Sequence, residues 1–342
     1  MVSCWCARRV SSLDPAQMRG NTLTFDTQFW GLPATQAALT AWINSALEED
    51  TATRDLTAPL LKVPGSLGDE DKLAGTGVIT AKQCGVICGL EAVRKTFEIL
   101  DPNLEVTYTL KDGSVVSKGD RVFVANSAAV NLLAGERTAL NICGHLSGIA
   151  TATADLVKIA EEIAIFDTRK TIPGIRKFQK YAVTVGGGKN HRMSLSEFPM
   201  FKENHRALLQ HLYPSFSADP QMEVAWIKEA LLKNRYQGPI SIEVEDEESL
   251  RACLIEGIEM ILVDNVSPGE LGEWLKRAQA DGIPIDKSRL EASGGIDIQS
   301  LKGHAESGVG RISVGSITHS SAIFDLSMSV EPFEGRREIS HD

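Results

Sequence analysis

From about residue 160 the chain repeats one pattern: a short apolar run, a stretch with helical spacing, then another apolar run. The runs are Ile163–Phe166, Ala182–Val185, Ile240–Val244, Met260–Val263, Leu290–Ala292 and Ile312–Val314. Strands of this kind, uninterrupted by polar residues and separated by helices, fit a parallel sheet buried on both faces, because parallel neighbours need a crossover and not a tight turn. Two of the intervening stretches carry helix-start signals. Asp219-Pro220 places a cap residue before a proline, and Ser267-Pro268-Gly269-Glu270 has capping-box spacing. The expected architecture is a (β/α) barrel of fewer than eight strands. A doubly wound open sheet is the alternative, but no G-x-G-x-x-G follows the first strand.

The preceding region reads differently. Leu39, Trp42, Ile43, Ala46 and Leu47 follow the spacing of an amphipathic helix, and residues 62–72 read as an exposed loop. Extended segments are expected at Gly77–Ala81, Glu105–Leu110 and Arg121–Ala125, with a hairpin turn at Asp112-Gly113. This gives a mixed α+β domain to about residue 148, ending in helices. Residues 1–32 are expected to form a mobile N-terminal extension. It carries Arg8 and Arg9 but lacks the apolar core of a secretory signal, and organelle targeting stays open.

A chain of 342 residues, 43% hydrophobic, is long enough for two domains. It has no apolar stretch of the roughly 18 residues that span a bilayer, so a membrane protein is not expected. The formal charge of −10 argues against general nucleic-acid binding. Six cysteines at C-x-C and C-x3-C spacings lack a second pair at zinc-site distance, and are read as reduced thiols of a cytoplasmic enzyme.

In a barrel, reactive groups collect at the carboxyl ends of strands. Here those ends read Asp167-Thr168-Arg169-Lys170, Glu243 and Glu245, Asp264-Asn265, Ser293-Gly294-Gly295 and Gly315-Ser316. Residues 167–206 hold nine Lys/Arg against three acids, a local +6 that leaves −16 for the other 302 residues. A basic pocket in an acidic chain suits small polyanions, although a solvated basic face gives the same count. The glycine pairs suit phosphate, which approaches backbone N–H groups most closely where there is no Cβ. Glu243 and Asp264, on adjacent strands, could hold Mg²⁺ directly or through water, grip sugar hydroxyls, or pair with Arg169 or Lys170. Gly186-Gly187-Gly188, ahead of His191-Arg192, reads as a hinge or an anion-binding nest.

These residues resemble the quinolinate phosphoribosyltransferase family, also called decarboxylating nicotinate-nucleotide pyrophosphorylases. The resemblance rests on Glu49–Thr57, Gly135–Asn141, Leu146–Thr151, Asp167–Gly174, Gly186–Arg192, Leu262–Asn265, Glu291–Ile296 and Ser313–His319, in the expected order over residues 35–328. Its most specific parts are D-T-R-K-T-x-P-G and G-G-G-x-x-H-R. Departures are Arg54 where glycine is common, the long N-terminus and a polar tail after Pro332.

The resemblance implies a type II phosphoribosyltransferase fold: an N-terminal α/β sandwich over 33–148, joined by 320–342, and an open (β/α) barrel over 149–319. It implies transfer of phosphoribose from phosphoribosyl pyrophosphate (PRPP) to quinolinate with Mg²⁺, giving nicotinate mononucleotide, pyrophosphate and CO₂ for NAD biosynthesis. On this reading Arg169, His191, Arg192 and Lys202 surround the pyridine carboxylates, and Arg137 reaches in from the other copy of a homodimer. Lys170, Lys202, Glu243 and Asp264 are the implied catalytic residues, with Glu243 and Asp264 holding Mg²⁺. Glu245 stays open as the alternative to Glu243. Ser293, Gly294, Gly295 and Gly315 receive the 5-phosphate, and His319 joins the substrate-binding set. Nucleic acid and membrane are not expected partners. Rival readings are a non-decarboxylating transferase for nicotinate or another anionic base, a Schiff-base aldolase using Lys170 or Lys202, and a non-catalytic anion-binding protein.

Overall fold

The computed structural model describes residues 28–57, 60–61 and 73–332. Most of the expected N-terminal extension, the 62–72 loop and the tail after Pro332 lie outside them. The chain divides into two compact units, Met1–Ala152 with Ser321–Asp342, and Thr153–Ser320.

In the first unit, helix α1 (Pro33–Glu49) buries Leu39, Ile43 and Leu47, the residues that carried its periodicity. Strands β1 (Ala74–Ala81), β3 (Glu105–Thr109), β5 (Arg121–Ala128) and β12 (Leu326–Pro332) form an antiparallel sheet in the order β12-β1-β5-β3. Residues from the far end of the chain thus complete it, with Val78 opposite Ser329. Ile79, Phe123 and Ala125 from the sheet share one core with Phe97 of α2 (Leu90–Leu100), with Leu132, Leu140 and Cys143 of α3 (Ala129–Ala160), and with Phe324. The expected terminal helices are this single 32-residue helix, and the division between units falls inside it.

Two expectations need correcting here. Asp112-Gly113 does not close a hairpin. β3 pairs with β5, whereas β4 (Val115–Val116) pairs with β2 (Gly85–Val86). The Asp112 carboxylate instead accepts the Gly89 and Leu90 N–H groups at 2.9 and 3.0 Å, satisfying the open N-terminus of α2. Trp30, placed by sequence in the extension, is buried within a helical turn, and its Nε1–H donates to the same Asp112 at 3.3 Å.

The second unit holds six parallel strands: β6 (Ala164–Phe166), β7 (Met200–Phe201), β8 (Ser241–Val244), β9 (Met260–Asp264), β10 (Leu290–Ser293) and β11 (Arg311–Ser313). Their order is β6-β11-β10-β9-β8-β7. Successive strands from β7 to β11 are neighbours and β11 returns to β6, so the sheet curls almost back on itself and stays open only between β6 and β7. Every residue of β8 is buried, as a strand covered on both faces requires. The crossovers include α4 (Arg176–Val185), α5 (Glu203–Leu212), α6 (Pro220–Lys233), α7 (Glu247–Ile255), α8 (Pro268–Ala280) and α9 (Leu301–Glu306), and α10 (Ser316–His319) follows the last strand. Asp219 and Ser267 cap α6 and α8 as their sequence signals indicated.

Ala182–Val185 is not a strand but the last turn of α4. Phe178, Tyr181, Ala182 and Val185 keep the i, i+3, i+4, i+7 spacing of a helix, but the β-branched run Val183-Thr184-Val185 mimics a strand. The strand in its place, β7, is two residues long and gives no periodic signal.

Candidate active site

A cavity of about 610 Å³ lies at the carboxyl ends of the barrel strands. It takes Thr168, Arg169 and Lys170 from β6, Met200 and Lys202 from β7, and Glu243 from β8. Leu262 and Asp264 come from β9, Glu291 and Ser293–Gly295 from β10, and Ser313, Gly315 and His319 from β11 and the turn after it. His191 and Arg192 enter from the loop after α4. All the site residues expected on the barrel are therefore gathered in one place. Arg137 is not among them; it lies on α3, its side chain 63% exposed, with Glu136 3.8 Å away.

The 189–192 loop is held from beneath. Lys189 bridges to Phe166 beside β6, and the buried Asp167 accepts the His191 N–H at 2.8 Å. Lys180 of α4, fully buried, places its ammonium 2.5 Å from Asp167 and also donates to the carbonyls of His191 (2.7 Å) and Arg192 (3.2 Å). Burial pushes the Asp167 carboxyl up to about 6 and the Lys180 ammonium down. Asp167, read from sequence as a strand-end reactive group, is thus turned away from the cavity. Gly186–Gly188 do not line it either, so they form no anion nest there. Gly186 N–H donates to Ala182 O and Gly188 N–H to Val183 O, ending α4.

Charge in the cavity is unbalanced on one side. Arg192 is nearly buried, and burial first, then the charge of Arg169, push its guanidinium pKa down. One Arg192 nitrogen reaches Phe198 O at 3.0 Å, while the buried Nε–H of Arg169 finds no acceptor. Two guanidinium groups that repel each other, one with an unspent donor, form a receptor for an anion with paired oxygens. Two other cations of the basic segment are spent elsewhere: Lys180 on Asp167, and Arg206 on Glu223 at 2.9 and 3.1 Å.

On the opposite side, Lys202 pairs with Glu243, whose other oxygen accepts the Glu203 N–H at 3.2 Å. Glu245 lies past the end of β8, exposed and outside this cavity, where some burial and then the carboxylates of Glu203, Asp264 and Glu243 push its pKa up. Asp264 accepts the side-chain amide of Asn265 at 2.8 Å. At the phosphate-friendly turn, Gly294 (φ +92°) and Gly295 (φ +58°) are both left-handed, and a Cβ on Gly294 would stand 2.5 Å from the Asn265 nitrogen. Only glycine fits there.

Glu291 and Ser313 were missed as individual site residues. The alternation of strand side chains is the signal that finds them, since Glu291 lies two residues before Ser293 and Ser313 two before Gly315.

An open (β/α) barrel whose cavity at the carboxyl ends sets a pair of arginines and two lysines beside four carboxylates and a glycine turn defines an enzyme that binds small anionic substrates. Comparison with known families narrows this. The quinolinate phosphoribosyl transferase N-terminal domain model matches residues 55–147 and the C-terminal domain model matches 149–329; the chain belongs to this family. A curated relative from Bacillus subtilis (strain 168), "Probable nicotinate-nucleotide pyrophosphorylase [carboxylating]", is 35% identical, the match covering 84% of this chain and 92% of its own. The nicotinate-nucleotide pyrophosphorylase [carboxylating] of Mycobacterium leprae is 34% identical over 75% of this chain and 86% of its own. Among solved structures, the nicotinate-nucleotide pyrophosphorylase from Francisella tularensis superposes with a TM-score of 0.70 at 30% identity, covering 86% of this chain and 96% of that one.

Proposed function

We infer that this enzyme is a quinolinate phosphoribosyltransferase of NAD biosynthesis, converting quinolinate and PRPP to nicotinate mononucleotide, pyrophosphate and CO₂. The observation that carries the reading is the Arg169–Arg192 pair, two close cations with an unspent donor, suited to a dicarboxylate. Opposite charges about 4 Å apart attract by roughly 4 kcal/mol at an effective dielectric of 20, enough to hold a dianion against a still more negative co-substrate. Lys170, exposed at the rim, and Lys202 extend the positive field toward the phosphates.

As pyrophosphate leaves, positive charge grows on the ribose ring, and Glu243 and Asp264, both lining the cavity, would stabilise it. Alkylation then makes the pyridine nitrogen cationic, and that charge stabilises the electron pair left when the adjacent carboxylate departs as CO₂. No base is needed to remove a proton in that step, so His191 orients. Its Nδ1 accepts the Arg192 N–H at 2.7 Å, which fixes the ring.

Mg²⁺ fits the donors present. The ion is commonly held by one or two carboxylates together with substrate phosphates, and no cluster of three His, Cys, Asp or Glu is found among the described residues. Asp264 and Glu243 would hold it, and bound there it would neutralise the departing diphosphate.

The turns at Ser293–Gly295 and Gly315 would take the 5-phosphate, beside His319. A homodimer in which Arg137 serves the neighbouring copy is part of the proposal; the exposure of Arg137 supports it. So is a cytoplasmic setting, which the buried thiols of Cys143 and Cys253, not in disulfides, favour. No helix among the described residues is long and apolar enough to cross a membrane.

The test is incubation with quinolinate, PRPP and Mg²⁺, following nicotinate mononucleotide and CO₂. Turnover of nicotinate with none of quinolinate would replace this reading with that of a non-decarboxylating transferase.

A further inference from the structure

Glu291 stands on β10, level with Leu262 of β9 and Arg311 of β11. It lines the floor of the cavity and is 1% exposed. A carboxylate taken out of water needs a cation or several donors. Glu291 has neither, and its Oε1 finds no hydrogen-bond donor. Arg311 beside it donates to Ser288 O at 2.8 Å and lies over the Phe166 ring at 5.4 Å. His191 Nε2 is 3.5 Å from Glu291 Oε1, at the outer limit of hydrogen-bond distance and without the geometry of a hydrogen bond. Ser313, on the next strand, adds a second unpartnered polar atom to the same floor.

A bare carboxylate is out of place in a receptor for a dianion, because it repels the ligand that Arg169 and Arg192 attract. It is well placed for a cation. The reaction inferred above produces one: the pyridine nitrogen gives its lone pair to C1′ of the ribose, the C1′–O bond to pyrophosphate breaks with its electron pair leaving on oxygen, and the nitrogen becomes positive. We propose that Glu291 is a catalytic carboxylate that lies against the pyridine ring and stabilises the positive charge its nitrogen gains during phosphoribosyl transfer. It is a group that disfavours the bound ground state and favours the transition state, and such differential binding is what accelerates a chemical step. The inference rests on the quinolinate reading of the site.

The experiment compares wild type with Glu291→Gln, which keeps the shape and removes the charge. Expected is a fall in kcat of about tenfold or more, with KM for quinolinate unchanged or lower. Phthalate, which has the two carboxylates but no ring nitrogen, should bind the variant more tightly by calorimetry. Glu291→Asp, which retains the charge, should recover part of kcat. An unchanged kcat, or weaker phthalate binding with an unchanged melting temperature, overturns the role of Glu291 while wild-type turnover leaves the function intact. Absence of product from the wild type overturns the function, and this inference with it.

Discussion

Lys180 and Asp167 form a fully buried ion pair, Nζ to Oδ1 2.5 Å, directly beneath the loop that carries His191 and Arg192. The ammonium spends its remaining donors on the carbonyls of those two residues. The pair is therefore a tie between α4, the end of β6 and the wall of the cavity.

Removing one partner should be costly. Lys180→Met would leave a buried carboxylate without its counter-charge, a change that typically costs about 3–5 kcal/mol. Denaturant unfolding should show that loss, and kcat/KM should fall with it as the loop loosens. A variant as stable as wild type would show that the pair does not hold this wall.

Arg169→Ala and Arg192→Ala should each raise KM for quinolinate by about 100-fold or more, the cost of losing a charge-assisted contact inside a cavity. Lysine at either position should recover little, because a point charge does not reproduce the planar fork. Initial-rate kinetics decide it, and wild-type KM in both variants would remove the anion receptor from the argument.

Gly294→Ala forces a side chain into a left-handed backbone and against the Asn265 backbone. About 1–3 kcal/mol of stability should be lost, and KM for PRPP should rise more than KM for quinolinate. Equal effects on both constants would argue against a phosphate role for this turn.

His304 gives a pH prediction. It is buried on α9, and burial pushes its pKa below the ordinary 6.5. Below pH 6.5 the unfolded chain binds this proton and the folded one resists it, so stability rises with pH there and is lost as pH falls through the folded value. Burial acts in the same direction on His145. The melting temperature should drop from pH 7 to pH 5, and His304→Leu should flatten that slope. A slope indifferent to the substitution would assign the acid sensitivity elsewhere.

Much of this was legible in one dimension. Period and caps placed α1, α6 and α8, and the alternation of apolar runs with helices announced a parallel sheet, because those patterns follow from local geometry. At Ala182–Val185 the β-branched run outweighed the helical spacing of Phe178, Tyr181, Ala182 and Val185, because a four-residue window is too short to show a 3.6-residue period. The Asp112-Gly113 turn misled for a related reason: turn chemistry is local, whereas which strands pair on either side of it is not.

The amino-acid order alone determined which charged residues end each strand, since a short apolar run followed by an ionisable residue is readable without coordinates. What they face was decided only by the fold. The presence of Glu243 but not Glu245 in the cavity lining, the spending of Lys180 on Asp167 and of Arg206 on Glu223, and the lack of a hydrogen bond to Glu291 Oε1 all depend on neighbours more than ten residues away in sequence. The energy of a charge is set by what surrounds it in space, and sequence distance carries little of that information.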